Sequence, residues 1–292
     1  MANELNQSLL RTPSATTSAI AARLLSVLII GSVSLWAQYE ASRGFDVAVI
    51  NDAPGTPSGR RFDLLFVSND KATRIILNTS NFVERVLYPG GDTDEEVALV
   101  LPKKPVDRVI LRLVQLSSST DPASVGVSPG KKTGEFVIRI NSAIMEEKNA
   151  DAAMVTAVQR GMARVWLWNG RGAPRSLLEG MVEYITILAG LSPSPESNYL
   201  VRPKESGRCW TEDDPVAVAQ FLRFCEGKRR GFVARLNRAM QEGWEPRMVS
   251  AALGIPLRRL CSSYHSVLAA TRSATANTTS DSIAEEILNQ DT

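Results

Sequence analysis

The sequence predicts an α+β protein, with a mixed β-sheet and one helix in the first half and a helical second half. Three observations carry this. Short runs rich in Val, Ile and Phe, bounded by Pro, Gly, Ser and Asn, dominate residues 45–140. From Asn149 onward, apolar residues recur at helical spacing. No segment repeats at a fixed period, so both textures fit one domain, expected over residues 44–270. A chain of 292 residues can bury a sizeable core, and a net charge of +2 leaves no basic footprint for nucleic acid.

The elements follow in order. Phe45 to Ile50 alternates and is β-rich, so it reads as a strand. Asn51 to Gly59 holds two Pro and two Gly and reads as a long turn. Arg61 to Val67 is expected as a second strand. Asn69 to Leu87 places Ala72, Ile75, Ile76, Phe82, Val83, Val86 and Leu87 on one helical face. Pro89-Gly90-Gly91-Asp92 stops that helix, and Asp94-Glu95-Glu96 reads as a solvated loop. Val106 to Leu116 is the strongest strand. A Ser/Thr/Gly/Pro loop is expected over Ser117 to Gly134, then a strand over Glu135 to Ile140. Helices are expected at 150–168, 175–190, 214–226, 229–242, 246–252 and 256–270.

Both ends differ from this domain. Residues 1–20 are polar and read as disordered, as does the Ser/Thr/Asn-rich tail, 271–292. An apolar run from Leu24 to Ala37 follows Arg23 and contains Trp36. Residues 21–39 fit an uncleaved signal anchor, with Arg23 and the Trp36/Tyr39 pair at opposite interfaces. The alternatives are a cleaved signal peptide with Ser32-Val33-Ser34 at the cleavage site, or a helix packed on a soluble domain. The first reading makes the membrane a partner and the second makes the protein secreted. Asn78-Thr79-Ser80 and Asn277-Thr278-Thr279 are candidate glycosylation acceptors, although Asn78 falls inside an expected helix.

The helix expected at 150–168 carries Arg160-Gly161-x-x-Arg164. In the frame His-Glu-x-x-His, two imidazoles one turn apart bind zinc and the Glu activates water. Here cations stand at both ligand positions and a residue without a side chain at the base position. The surroundings matter for this comparison. Val165-Trp166-Leu167-Trp168-Asn169-Gly170, Leu178-Glu179-Gly180-Met181-Val182-Glu183-Tyr184, Ala217 to Cys225 and Gly231 to Asn237 occur in order. In the first half stands Asn51-Asp52-Ala53-Pro54-Gly55-Thr56-Pro57, followed by Gly59-Arg60-Arg61-Phe62. Together these segments resemble the plant basic secretory protein family, known for zinc-peptidase-like and defence-associated secreted members. The resemblance covers most of residues 44–268 and implies a zincin-like fold.

The resemblance places the family's first histidine ligand on Arg160, its general base on Gly161 and its second histidine on Arg164. Glu183, in the next helix, stands where an acidic third ligand belongs. One carboxylate cannot make a catalytic zinc site, which takes three protein ligands. The resemblance therefore implies a peptidase scaffold without peptidase activity, without a cofactor, and with a peptide or protein ligand as its partner; the alternatives are a hydrolase using Glu179 and Glu183 in a different metal arrangement, or a membrane-anchored interaction domain with no groove ligand. Arg160 and Arg164 share a helical face and repel each other. A guanidinium from either is expected to pair with Glu183 or Glu179. The alternative is that both line a solvated groove.

Other constellations carry less. His265 is the only histidine, so Ser-His or Cys-His catalysis would hang on it. Cys261-x-x-x-His265 is at helical spacing, and Cys209 and Cys225 would complete four ligands, but paired C-x-x-C spacing is lacking. A disulfide among the three cysteines fits a lumenal domain better. Gly227-Lys228-Arg229-Arg230-Gly231 reads as a solvated basic turn. Gly55-x-x-x-Gly59 lacks the Gly-Lys-Ser/Thr ending of a phosphate loop. Trp166, Trp168, Trp210 and Trp244 read as core more readily than as a cleft lining.

Overall fold

The computed structural model describes residues 23–32, 34, 44–89, 103–115, 125–191, 209, 214–256 and 259–270. The tails at 1–20 and 271–292, the acidic loop at 94–96, Trp210 and the acceptor Asn277 lie outside the described residues. The chain divides into two units, 1–44 and 45–292.

In the first unit, residues 23–32 form helix α1, with every residue exposed. Among the described residues no helix is long and apolar enough to cross a membrane. The single-pass expectation for residues 21–39 therefore has no spanning helix behind it there.

The second unit is built on a four-stranded sheet in the order β1-β2-β4-β3. Strands β1 (Asp46–Asn51), β2 (Arg108–Val114) and β4 (Glu135–Asn141) run parallel, with Val47 opposite Val109 and Leu111 opposite Ile138. Parallel neighbours require a long crossover. Between β1 and β2 it includes helices α2 (Pro57–Phe62) and α3 (Lys71–Leu87). On β2, Val109, Leu111 and Leu113 are buried while Val114 and Arg112 are not, the alternation of a strand with one covered face.

Two expectations are corrected here. Residues 61–67 are not a strand. Helix α2 gives way to a π-helical turn at Asp63–Val67. Phe62, Leu64 and Phe66 alternate in sequence, which mimics a strand. In space Phe62 and Phe66 are fully buried and stacked, ring centroids 5.9 Å apart, while Leu64 is 70% exposed. That is the i, i+4 face of a helix. The helix starts where Thr56 caps it, its Oγ1 accepting from the Gly59 amide at 3.0 Å, with Pro57 in the first turn.

The second correction concerns the loop expected at 117–134. It contains β3 (Val125–Pro129), which pairs antiparallel with β4 at the sheet edge. Its Gly, Ser and Pro give no strand signal, and its pairing with β4 is what makes it one.

A layer of helices follows: α4 (Ala150–Trp166), α5 (Arg175–Leu188), α6 (Pro215–Lys228), α7 (Phe232–Ala239), α8 (Arg247–Leu253) and α9 (259–270). Helix α4 packs on the sheet and on α3, and α5 packs on α6. Two glycines set these approaches. A Cβ on Gly161 would lie 2.8 Å from Ile138 Cγ2, and one on Gly180 would lie 2.3 Å from Val218 Cγ1. Both contacts are shorter than carbon atoms tolerate, so the close packing of α4 on β4 and of α5 on α6 requires glycine.

Candidate functional site: an arginine–glutamate ladder between two helices

Helix α4 is capped at both ends. The Asn149 Oδ1 accepts from the Ala152 amide at 3.1 Å. At the far end the last carbonyls lack intrahelical partners. Tyr88 donates its hydroxyl to the Trp166 carbonyl at 2.8 Å, and Lys104 Nζ donates to the Leu167 carbonyl at 2.6 Å. The Trp168 amide donates to Asn237 Oδ1 at 2.9 Å. Lys104 sits over the rings of Phe136 and Trp168, 4.8 and 5.8 Å from their centroids. Burial pushes its ammonium pKa down to about 8. Its positive charge also complements the negative end of the helix dipole. Trp166 is core, its Nε1 donating to Ser80 Oγ at 2.8 Å, and Trp168 and Trp244 are half-buried against the core.

This anchoring fixes the direction in which residues 160–164 point. Arg160 Nη2 donates to Glu183 Oε2 at 2.9 Å, and Arg164 Nη2 donates to Glu179 Oε2 at 2.5 Å. The earlier arginine meets the later glutamate, as expected for helices running in opposite directions. Both pairs are one turn apart, so the contacts form a two-rung ladder. The Glu183 side chain is only 8% exposed, against 29% for Arg160. The second rung is wetter, at 26% and 28%. Exposed pairs contribute about 0–1 kcal/mol each, and a buried carboxylate needs its partner more. Gly161, next to Arg160, faces the sheet and Ile138.

The donor set does not fit a divalent cation. Two of the four groups at this point are themselves cations, and both carboxylates already accept from them. A guanidinium stays protonated throughout the accessible pH range and has no lone pair to give a metal. No carboxylate can be placed at 161 without displacing Ile138, so packing closes the position to which the resemblance assigns a water-activating base.

The remaining sequence candidates are placed as follows. Cys209 and Cys261 form a disulfide, Cα–Cα 5.8 Å, and Cys225 is free and buried. The Lys228–Arg230 cluster is exposed, with Lys228 ending α6 and Arg229 and Arg230 in the turn that follows. Asn78 is an exposed residue within α3, and Thr79 of its triplet is buried with its hydroxyl bonded to the Ile75 and Ile76 carbonyls. Lys104 and Tyr88 had no signal in the sequence, because their partners lie 63 and 78 residues away.

The sheet has three parallel strands and an antiparallel edge, and α4 lies on it with the half-buried Arg160 and Arg164 turned to two carboxylates of α5. A family model described as "Peptidase of plants and bacteria" (BSP) matches residues 42–264. The chain belongs to that family. No curated protein and no solved structure matches it.

Proposed function

We propose that this chain is a non-catalytic member of its peptidase family, a pseudopeptidase that recognises peptide or protein ligands without cleaving them. The observation that carries the reading is the Arg160–Glu183 pair, which sets a guanidinium where the family resemblance expects a metal ligand. The pair provides the positive charge that a buried carboxylate requires and leaves no lone pairs for a metal or base for water. A ligand of extended peptide type fits the edge strand β3, which among the described residues pairs with β4 alone and lies beside α4. Passage through the secretory pathway agrees with the composition of residues 21–39 and with the Cys209–Cys261 disulfide, which persists in oxidising compartments. A role in plant defence rests on the family resemblance.

The test is metal analysis of the purified, oxidised full chain together with a casein and peptide turnover assay. Neither stoichiometric zinc nor turnover above background is expected. Turnover that disappears in Glu183→Ala, or one zinc per chain that is lost in Glu183→Gln, would overturn the reading in favour of a hydrolase with a different metal arrangement.

A further inference from the structure

The ladder leaves one cluster of reactive side chains unused. Cys261 and His265 lie four residues apart on α9, on one helical face. Cys209 comes from the chain before α6. The three converge. Cys209 is bonded to Cys261, the Cys209 amide donates to Cys261 Sγ at 3.3 Å, and Cys209 Sγ lies 3.7 Å from His265 Nε2. Helix α9 is held in place by Tyr264, whose ring packs on Phe221 and Phe224 of α6 with centroids 5.4 and 5.3 Å away. Cys225 takes no part. It is buried in α6, and burial pushes its thiol up to about 12.

We propose that reduction of the Cys209–Cys261 bond converts this cluster into a binding site for a thiophilic divalent cation of the zinc type, with Cys209, Cys261 and His265 as its ligands. A tetrahedral centre with metal–sulfur bonds of about 2.3 Å and a metal–nitrogen bond of about 2.0–2.1 Å has a sulfur-to-nitrogen edge of about 3.6 Å. The edge present is 3.7 Å. The two sulfurs would separate from bonding distance to about 3.8 Å, a change of less than about 2 Å that side-chain rotation can supply. Three protein ligands leave a fourth position for water or an incoming group.

Redox state would gate the site, because a thiolate binds metal and a sulfur held in a disulfide is not a thiolate. A dithiol reductant gives up two electrons and two protons and becomes a disulfide. The Cys209–Cys261 bond breaks, and each sulfur gains one proton. Metal binding then releases both protons.

The experiment is a cobalt(II) titration of the full chain, oxidised and reduced, followed by the thiolate-to-cobalt charge-transfer band and the visible ligand-field band, with zinc added in competition. The reduced chain is expected to take one cobalt, displaced by zinc, and the oxidised chain none. Cys209→Ser and Cys261→Ser should abolish the band, and Cys225→Ser should keep it. His265→Gln should weaken binding by about tenfold or more, since even supporting residues around a metal contribute that much. It leaves both sulfurs in place and so decides the matter even where a cysteine variant fails to fold. The absence of a thiolate band in the reduced wild type, or a cobalt affinity unchanged in His265→Gln, would overturn the proposal.

Discussion

Gly161 carries two opposed effects, and their magnitudes decide its role. In an exposed helix, alanine would be favoured over glycine by about 1 kcal/mol. Here the new methyl would sit 2.8 Å from Cγ2 and 3.1 Å from Cδ1 of Ile138, a fully buried side chain. Overpacking of this kind costs about 1–3 kcal/mol. Gly161→Ala is therefore expected to destabilise the protein in urea unfolding, and less so in an Ile138→Ala background, with a coupling of at least about 0.5 kcal/mol. A stabilised Gly161→Ala would show that α4 can lift off β4. Lys104 gives a second residue-scale effect, with its sign set by the depressed pKa of about 8. Between that value and its unfolded pKa of about 10.4, the unfolded chain binds more protons than the folded one, so this group's contribution rises with pH. Below about pH 8 both forms are protonated and the contribution is flat. The stability difference between wild type and Lys104→Met should shift toward wild type by up to about 1.4 kcal/mol per pH unit between about pH 8 and pH 10. Using the difference cancels the opposing Cys225, whose thiol, pushed up to about 12, loses stability as pH rises above its unfolded value. A difference that does not change with pH would mean that the Lys104 amine is not desolvated.

At the scale of elements, the site depends on how α4 and α5 meet. Removing Arg160 alone takes the guanidinium from a carboxylate that is 8% exposed, whereas replacing both partners by apolar groups removes the need for it. Arg160→Met is expected to cost about 1–3 kcal/mol, discounted from the fully buried case because Arg160 is partly exposed, and Arg160→Met/Glu183→Met to cost less than the sum of the single changes. The outer rung, Arg164–Glu179, should be worth under about 1 kcal/mol and weaken with salt. Strict additivity across the Arg160–Glu183 cycle would show that the pair is incidental. The ladder's residues were legible in the sequence because two i, i+4 pairs of opposite charge stood on adjacent helices. Helices α3, α4 and α5 and strand β2 were legible for a similar reason, since local periodicity reports a covered face. Residues 61–67 were misread because Phe62, Leu64 and Phe66 satisfy a period of two while two of them share a helical face. Strand β3 has no apolar alternation of its own, and its existence depends on β4. The α4 C-terminal caps from Tyr88, Lys104 and Asn237 were not legible, because they bridge 63 to 78 residues and no local pattern encodes such contacts.

For the whole molecule, the proposed reading, with ion pairs where a metal would stand, changes what the fold depends on. A protein that binds metal only when folded gains stability from it, about 2.7 kcal/mol at a hundredfold excess over Kd, and loses that gain to a chelator. A scaffold closed by Arg160–Glu183 and Arg164–Glu179 has no such linkage. The thermal midpoint of the oxidised chain should therefore be indifferent to EDTA and to added zinc. The same argument predicts how the linkage returns. Arg160→His/Arg164→His places two imidazoles one turn apart, opposite the carboxylate of Glu183, which is the donor set of a three-ligand zinc site. That variant should melt higher as zinc is added and lower with EDTA. It should still fail to cleave casein, because position 161 remains glycine against Ile138 and no carboxylate stands ready to activate water. Metal affinity and catalysis are thereby separated: the first needs only two substitutions on the side of α4 that meets α5, while the second needs room that the packing of α4 on β4 does not leave. A chelator-sensitive midpoint in the oxidised wild type would mean that the ladder had not replaced a metal at all. A double-histidine variant indifferent to zinc would mean that Glu183 does not lie within reach of a metal held from α4.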